Sequence, residues 1–334
     1  MKVDGGIMYI LGLGGSGHDF SACICNEYNI LGYIEDERIT RKKHSFYRGN
    51  MNTISKMSSA FYLCEKIGIE LEDIDYVIVN NILLNDFYSK YFDKNNVISI
   101  NHHLAHAFSA FYPSEYEEAA ILIIDGAGDM IEDNIYETIS FWRGNSEGIH
   151  NINTFLGKVV STNIYNDACI PVENSIGGFY RVITKLLGFG LFDEGKTMGL
   201  ASYGNDKYYD VMKSLISINK DGSFIISSNS YKEIINLSRN IITFQEKADF
   251  AFAAQKITNE AVLNAAIALK KISGCNNLCI AGGVALNSVA NYEIYKNGLF
   301  RNIFIQPAAG DSGTAIGAAL YGLNMVKSGN IYCH

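Results

Sequence analysis

One local pattern occurs twice in this chain of 334 residues, and it restricts the folds open to it. Met8–Leu13 is an apolar run that enters the loop Gly12-Leu-Gly14-Gly15-Ser16-Gly17-His18-Asp19. Two β-prone runs follow, Ser21–Cys25 and Ile30–Glu35, separated by the polar turn Asn26–Asn29. The pattern returns at Ala119–Ile124, which enters Asp125-Gly-Ala-Gly-Asp129. Ile135–Trp142 and Ile149–Phe155 follow it, with a turn at Arg143–Gly148. After each hairpin the sequence alternates helix, strand, helix, strand, helix. The strands fall at Tyr76–Val79 and Val97–Ile100, then at Leu278–Ala281 and Ile303–Gln306, and the last helix starts near Asp311. Residues 1–118 read as a first half that ends in a histidine-bearing helix. Residues 119–334 read as a second half with a helical or irregular insertion at about 158–245.

Gly12-x-Gly14-x-x-Gly17 after a strand matches the dinucleotide-binding fingerprint, with Glu35 and Asp36 downstream. That fingerprint needs a helix to open at its last glycine, and here Ser21-Ala-Cys-Ile-Cys25 is β-prone instead. The Rossmann reading is therefore set aside, although loop amides could still cradle an anion. Two hairpin-plus-helix halves with glycine loops facing each other are the plan of the actin-like ATPase and sugar-kinase (ASKHA) superfamily. The expected fold is thus a duplicated α/β arrangement of two RNase H-like halves with a cleft between them.

Composition narrows the class. With 48% hydrophobic and 19% charged residues the chain reads as globular, and no apolar run approaches a bilayer span. The N-terminus does not read as a secretory signal, and seven cysteines without a CxxC pair read as reduced thiols, so a cytoplasmic location is expected. A formal charge of −8 argues against unaided nucleic-acid binding and no membrane partner is expected. Arg38-Ile-Thr-Arg41-Lys42-Lys43-His44, with Arg48 close behind, is the dense basic run, either a solvated face or an anion grip.

His102 and His106 lie four apart on a helix that Pro113 should end, so both rings share a face. Two imidazoles so spaced can reach one ion. Asp125 and Asp311 each follow an apolar strand in a loop of small residues, and in the duplicated fold such strand ends converge. Capping of a helix or turn is the plainer role for either aspartate. Ala281-Gly-Gly-Val-Ala-Leu-Asn287 follows a strand and opens a helix. Its glycines allow close approach of a flat ligand such as a nucleoside and Asn287 could bond a base or ribose, or the turn serves packing alone.

These segments together resemble the NodU/CmcH family of O-carbamoyltransferases, specifically its larger N-terminal domain. That domain is itself similar to the catalytic subunit of the tRNA threonylcarbamoyladenosine machinery. The matching stretches are Gly17-His18-Asp19-Phe-Ser-Ala22, Asp36-Glu37-Arg38 through His44, Asn101-His-His-Leu-Ala-His-Ala107 and Ile124-Asp-Gly-Ala-Gly-Asp129. Lys196-Thr-Met-Gly-Leu-Ala-Ser-Tyr-Gly204, Ala281–Asn287 and Gln306-Pro-Ala-Ala-Gly-Asp-Ser-Gly313 complete them, in the family's order over nearly the whole chain.

The resemblance implies a divalent metal (Fe2+ first, then Mn2+, Zn2+ or Mg2+) on His102, His106, Asp125 and Asp311. It implies ATP or carbamoyl adenylate beside Gly126, Gly128, Lys196, Gly282, Gly283 and Asn287. His18 would be the general base toward a small-molecule hydroxyl acceptor, unless it is bonded within its own turn, and Arg41 and Lys43 would neutralise phosphate. Carbamoyl adenylate, formed from carbamoyl phosphate and ATP, would be the donor.

Two departures are expected to matter: these 334 residues carry no match to the family's C-terminal YrdC-like domain, and Ser202 replaces a proline common in the family. A separate YrdC-like protein is therefore an expected partner, and a second copy of the chain a possible one. The alternatives are threonylcarbamoyl transfer to tRNA with separate partner proteins, a non-catalytic nucleotide-binding subunit and, more remotely, a sugar or acetate kinase. The acceptor would lie against the insertion, whose Tyr165, Phe179, Tyr180, Phe189, Phe192 and Tyr203 are read mostly as core.

Overall fold

The computed structural model describes residues 7–45, 57–160 and 171–328. Arg48 and Tyr165 lie outside the described residues. Contacts divide the chain into two compact units, Met1–Glu115 with Gln306–His334, and Tyr116–Ile305.

The first unit is built on β1 (Tyr9–Gly14), β2 (Ser21–Asn26) and β3 (Ile30–Glu35), followed by α1 (Asp36–Thr40) and α2 (Ser58–Ile67). Then come β4 (Tyr76–Asn80), β5 (Val97–Ile100) and α3 (His102–Phe111). The sheet order is β3-β2-β1-β4-β5. β1 to β3 pair antiparallel, whereas β1–β4 and β4–β5 are parallel. As the hairpin reading required, β2 and not a helix follows the glycine loop.

Successive side chains of β1 point to opposite faces of the sheet. Leu11 and Leu13 join a buried cluster with Phe20, Ile24, Leu63 and Phe87. Gly12 and Gly14 face the other way, toward the C-terminal helix Thr314–Lys327. A Cβ on Gly12 would stand 2.2 Å from the Ala315 carbonyl, and one on Gly14 2.3 Å from the Ala315 amide. The glycines that imitate a nucleotide fingerprint thus let a helix lie directly on a strand. This packing places Gln306–His334 with the first unit, whereas the sequence reading kept 119–334 together; the strand-to-helix fit is a tertiary fact that chain order does not reveal.

The second unit opens with β6 (Ala119–Ile124), buried at every position, as a central strand covered on both faces must be. It continues through β7 (Met130–Glu132), β8 (Ile135–Asn145) and β9 (Gly148–Lys158). The insertion follows: α4 (Ile176–Leu186), α5 (Glu194–Ala201), α6 (Tyr209–Lys213), the ribbon β10 (Ser217–Ile218) and β11 (Phe224–Ile225), and α7 (Ser228–Ser238). α8 (Phe244–Ser273), β12 (Asn277–Ala281), α9 (Ser288–Asn297) and β13 (Asn302–Ile305) complete it.

β6 pairs antiparallel with β8 and parallel with β12, which pairs parallel with β13. The first unit's hairpin-plus-parallel plan is therefore repeated. Thr243 and Glu246 form a capping box at the start of α8, and Gly274 closes the helix in the left-handed region. Within the insertion Phe179 and Tyr180 are core, Phe189 and Phe192 are half-buried, and Tyr203 is exposed. Cys23, Cys25, Cys64, Cys275 and Cys279 are buried and lie outside any disulfide. Among the described residues no helix is long and apolar enough to cross a membrane.

Candidate functional site

In the first unit the site grows from three chain positions. Asn101 caps α3, its Oδ1 accepting from the Leu104 amide at 2.8 Å, so the helix starts at His102. His106 follows one turn later, and both rings are fully buried. Their Nε2 atoms stand 3.2 Å apart. Asp311, just before the C-terminal helix, brings its Oδ1 to 3.7 Å from His102 Nε2. It does not cap that helix; its Oδ2 accepts from Ser16 Oγ at 2.7 Å.

Asn80, at the end of β4, completes the arrangement. Its amide nitrogen donates to Gly15 O and Thr314 Oγ1, both at 2.9 Å. This orients its Oδ1 toward His102 Nδ1 at 3.4 Å. A proton on His102 Nδ1 satisfies that contact and leaves a lone pair on Nε2. Thr314 Oγ1 in turn donates to the Asp311 carbonyl at 2.5 Å, and Gly15 N donates to the same carbonyl at 3.1 Å.

The donor set fits a divalent ion. His102, His106 and Asp311 each bring one ligand atom within 4.8 Å of the others. With metal–nitrogen bonds of about 2.1 Å, two imidazoles stand roughly 3.0 Å apart at an octahedral angle and roughly 3.4 Å apart at a tetrahedral one. The observed 3.2 Å falls between these limits.

His18 sits beside this group, with Nε2 3.7 Å from Asp311 Oδ2. Its Nδ1 meets Asp19 Oδ2 at 2.9 Å, the local bond considered for it above, while the other nitrogen faces the cluster. The second oxygen of Asp19 meets His44 Nδ1, also at 2.9 Å. Burial raises the Asp19 carboxyl, but its bonds to His18 and His44 outweigh this and bring it down to about 2. Asp19, Glu37 and His44 also converge within 4.8 Å, held by bonds among themselves. Arg41 and Lys43 are exposed on the same basic arm, Arg41 closing α1 in the left-handed region.

In the second unit Asp125 directly follows β6 and is buried. Its Oδ1 accepts from the Gly126 amide at 2.7 Å and the Gly283 amide at 3.3 Å. Gly282 adopts φ +94°, and a Cβ there would stand 2.3 Å from the Ile124 carbonyl. Only glycine allows the β12 loop to lie so close to β6. The Gly128 amide is used in the hairpin, donating to Glu137 O at 2.8 Å.

Asn287 caps α9 through Ala290 N at 3.1 Å and exchanges amide bonds with Gln255 at 3.0 and 3.1 Å. Lys196 pairs with Asp193 at 2.9 Å on the exposed face of α5. The glycines of the two nucleotide-type motifs thus come together around Asp125, while Asn287 and Lys196 are engaged with protein partners. Sequence reasoning missed Asn80, Ser16 and Thr314. It also missed Arg181 on α4, whose guanidinium lies where a Cβ on Gly126 would meet it at 2.8 Å. The polar end of the apolar strand Tyr-Val-Ile-Val-Asn80 was the available signal for Asn80.

The family described as carbamoyltransferase N-terminus matches residues 80–320. Nodulation protein NolNO of Sinorhizobium fredii is 28% identical over 91% of this chain and 46% of its own length. The chain spans about half the length of the curated relatives it matches, 56% and 46% for two of them. Two solved structures share the fold. HypF from T. kodakarensis aligns with a TM-score of 0.64 at 13% identity, over 96% of this chain and 48% of that one. The activator of the 2-hydroxyisocaproyl-CoA dehydratase from Clostridium difficile, with bound ADPNP, aligns at 0.55 and 18%, over 98% and 99%. The mixed α/β fold of this chain is thus shared with these proteins.

Proposed function

The chain belongs to the carbamoyltransferase N-terminal family, and on that footing we propose that it transfers a carbamoyl group from carbamoyl adenylate to a hydroxyl of a small molecule, such as a sugar or natural product. The observation that carries this reading is the convergence of His102, His106 and Asp311 with His18 at their edge. His18, with Nδ1 toward Asp19, has Nε2 placed to take the acceptor's proton as its oxygen attacks the carbamoyl carbon. A carbon–oxygen bond forms, the bond from that carbon to the adenylate phosphate breaks, and AMP leaves with the electron pair. Arg41 and Lys43 balance the phosphate charge.

The reading seats the nucleotide near Gly126, Gly282 and Gly283, with Arg181 as a further cation. A bound divalent ion, Fe2+ by family resemblance, would supply charge stabilisation at the carbonyl or phosphate oxygens. A separate YrdC-like protein is the proposed source of the donor.

The test supplies carbamoyl adenylate, generated by such a protein from carbamoyl phosphate and ATP, with a panel of hydroxyl acceptors. Carbamoylated product and bound metal are expected from the native chain, and neither from His102→Ala with His106→Ala. Full transfer by the double variant would overturn the reading.

A further inference from the structure

We propose that Asp19 and His44 form a positioning latch, which fastens the basic arm 36–44 to the loop that carries His18. The role it gives His18, Arg41 and Lys43 rests on the transfer reading; the latch itself rests on the geometry of the first unit.

The arm leaves β3 and returns to where it started. At its near end Asp36 N donates to Phe20 O at 2.8 Å, and Asp36 Oδ1 accepts from the Ser59 amide at 2.8 Å. At its far end Asp19 N donates to His44 O at 2.7 Å, so adjacent residues of the β1–β2 loop receive both ends. His44 is held at three points: its carbonyl by Asp19 N, its amide by Glu37 Oε2 at 2.6 Å, and its Nδ1 by Asp19 Oδ1 at 2.9 Å.

Asp19 and His44 both occupy the left-handed region, φ 54° and 60°, which side chains with a Cβ enter only when surrounding bonds hold them there. Arg41, between the two pins, is also left-handed at φ 59°, so the arm has a defined shape. The carboxylate of Asp19 divides its oxygens, one to His18 and one to His44. A single side chain therefore sets the ring of the base and the position of the arm's cations together.

Amide hydrogen exchange over residues 36–45 of the full chain reads the latch directly. His44→Ala and Asp19→Asn should each speed exchange there about tenfold, with the rest of the chain unchanged. His44→Asn, which returns an N–H donor near the Nδ1 position and tolerates the left-handed backbone, should restore protection. His44→Gly keeps that backbone and deletes only the ring; it should behave like His44→Ala. Native protection in both His44→Ala and His44→Gly overturns the proposal, as does global destabilisation shared equally by His44→Asn.

With carbamoyl adenylate, His44→Ala should raise KM for the donor about tenfold with a smaller fall in kcat, and Asp19→Asn should lower kcat as well. Absence of product from the native chain would sink the transfer reading, and the exchange result would still decide the latch.

Discussion

The two units share one plan, a hairpin on a strand that enters a glycine loop, yet the loops are held in opposite ways. The first loop is organised by side chains: Ser16 bonds to Asp311, Asp19 bonds to His18 and His44, and Asn80 and Thr314 tie its backbone down. In the second loop one carboxylate meets bare backbone: Asp125 Oδ1 accepts from the amides of Gly126 and Gly283, and Gly282 closes on the Ile124 carbonyl. A duplicated scaffold has thus kept its strand geometry and divided the chemistry, imidazoles and a carboxylate in one unit and a close backbone fit in the other.

The largest expected effect breaks the side-chain half. His102→Ala or His106→Ala should reduce bound metal from on the order of one ion per chain to near none, read by elemental analysis. Retention of the ion would show that the imidazole pair is a core feature only.

Gly282→Ala tests the backbone half. The positive φ and the carbonyl contact together should cost about 3 kcal/mol or more in urea unfolding. Gly17→Ala in the first loop meets nothing within 4 Å and should change stability by less than about 0.5 kcal/mol. Equal losses from the two substitutions would erase the contrast between the loops.

Asn80→Ala removes the amide oxygen that faces His102 Nδ1, and metal affinity should fall about 10- to 100-fold, measured by competition with a chelator.

The smallest effect is in acid. A carboxyl held at about 2, below the unfolded value, stabilises the fold above about pH 4 and loses that contribution as pH falls toward 2. The stability gap between the native chain and Asp19→Asn should therefore shrink by on the order of 2 kcal/mol between pH 5 and pH 2, seen in urea titrations at each pH. A constant gap would mean that the two imidazoles do not hold Asp19 ionised.

Local patterns were legible and partner identity was not. β6 was readable to the residue because a six-residue apolar run bounded by turn residues has one reading. The helix-sharing of His102 and His106 followed from spacing, and the hairpin after Gly17 followed from β-prone residues. The destination of the last helix was hidden, because nothing in Thr314–Lys327 names β1 as its partner until Gly12 and Gly14 are seen against Ala315. Asn80 was hidden for a similar reason: a single polar residue at a strand end has many uses, and its neighbours at Gly15 and Thr314 are distant in sequence. Asn287, read from its motif as a possible partner of a base or ribose or as packing alone, caps α9 and bonds to Gln255, contacts that its motif does not announce.

The bond from Gly15 N to Thr314 Oγ1 closes a separation of 299 residues, which has a bearing on synthesis. β1 leaves the ribosome long before the helix that covers its glycine face. Until then Gly12 and Gly14 are bare, and Asp311 and Thr314 have not joined the histidines. A nascent chain can complete the second unit, which is continuous in sequence, long before it completes the first. His102, His106 and Asp311 can accordingly come together only once the helix Thr314–Lys327 has reached β1.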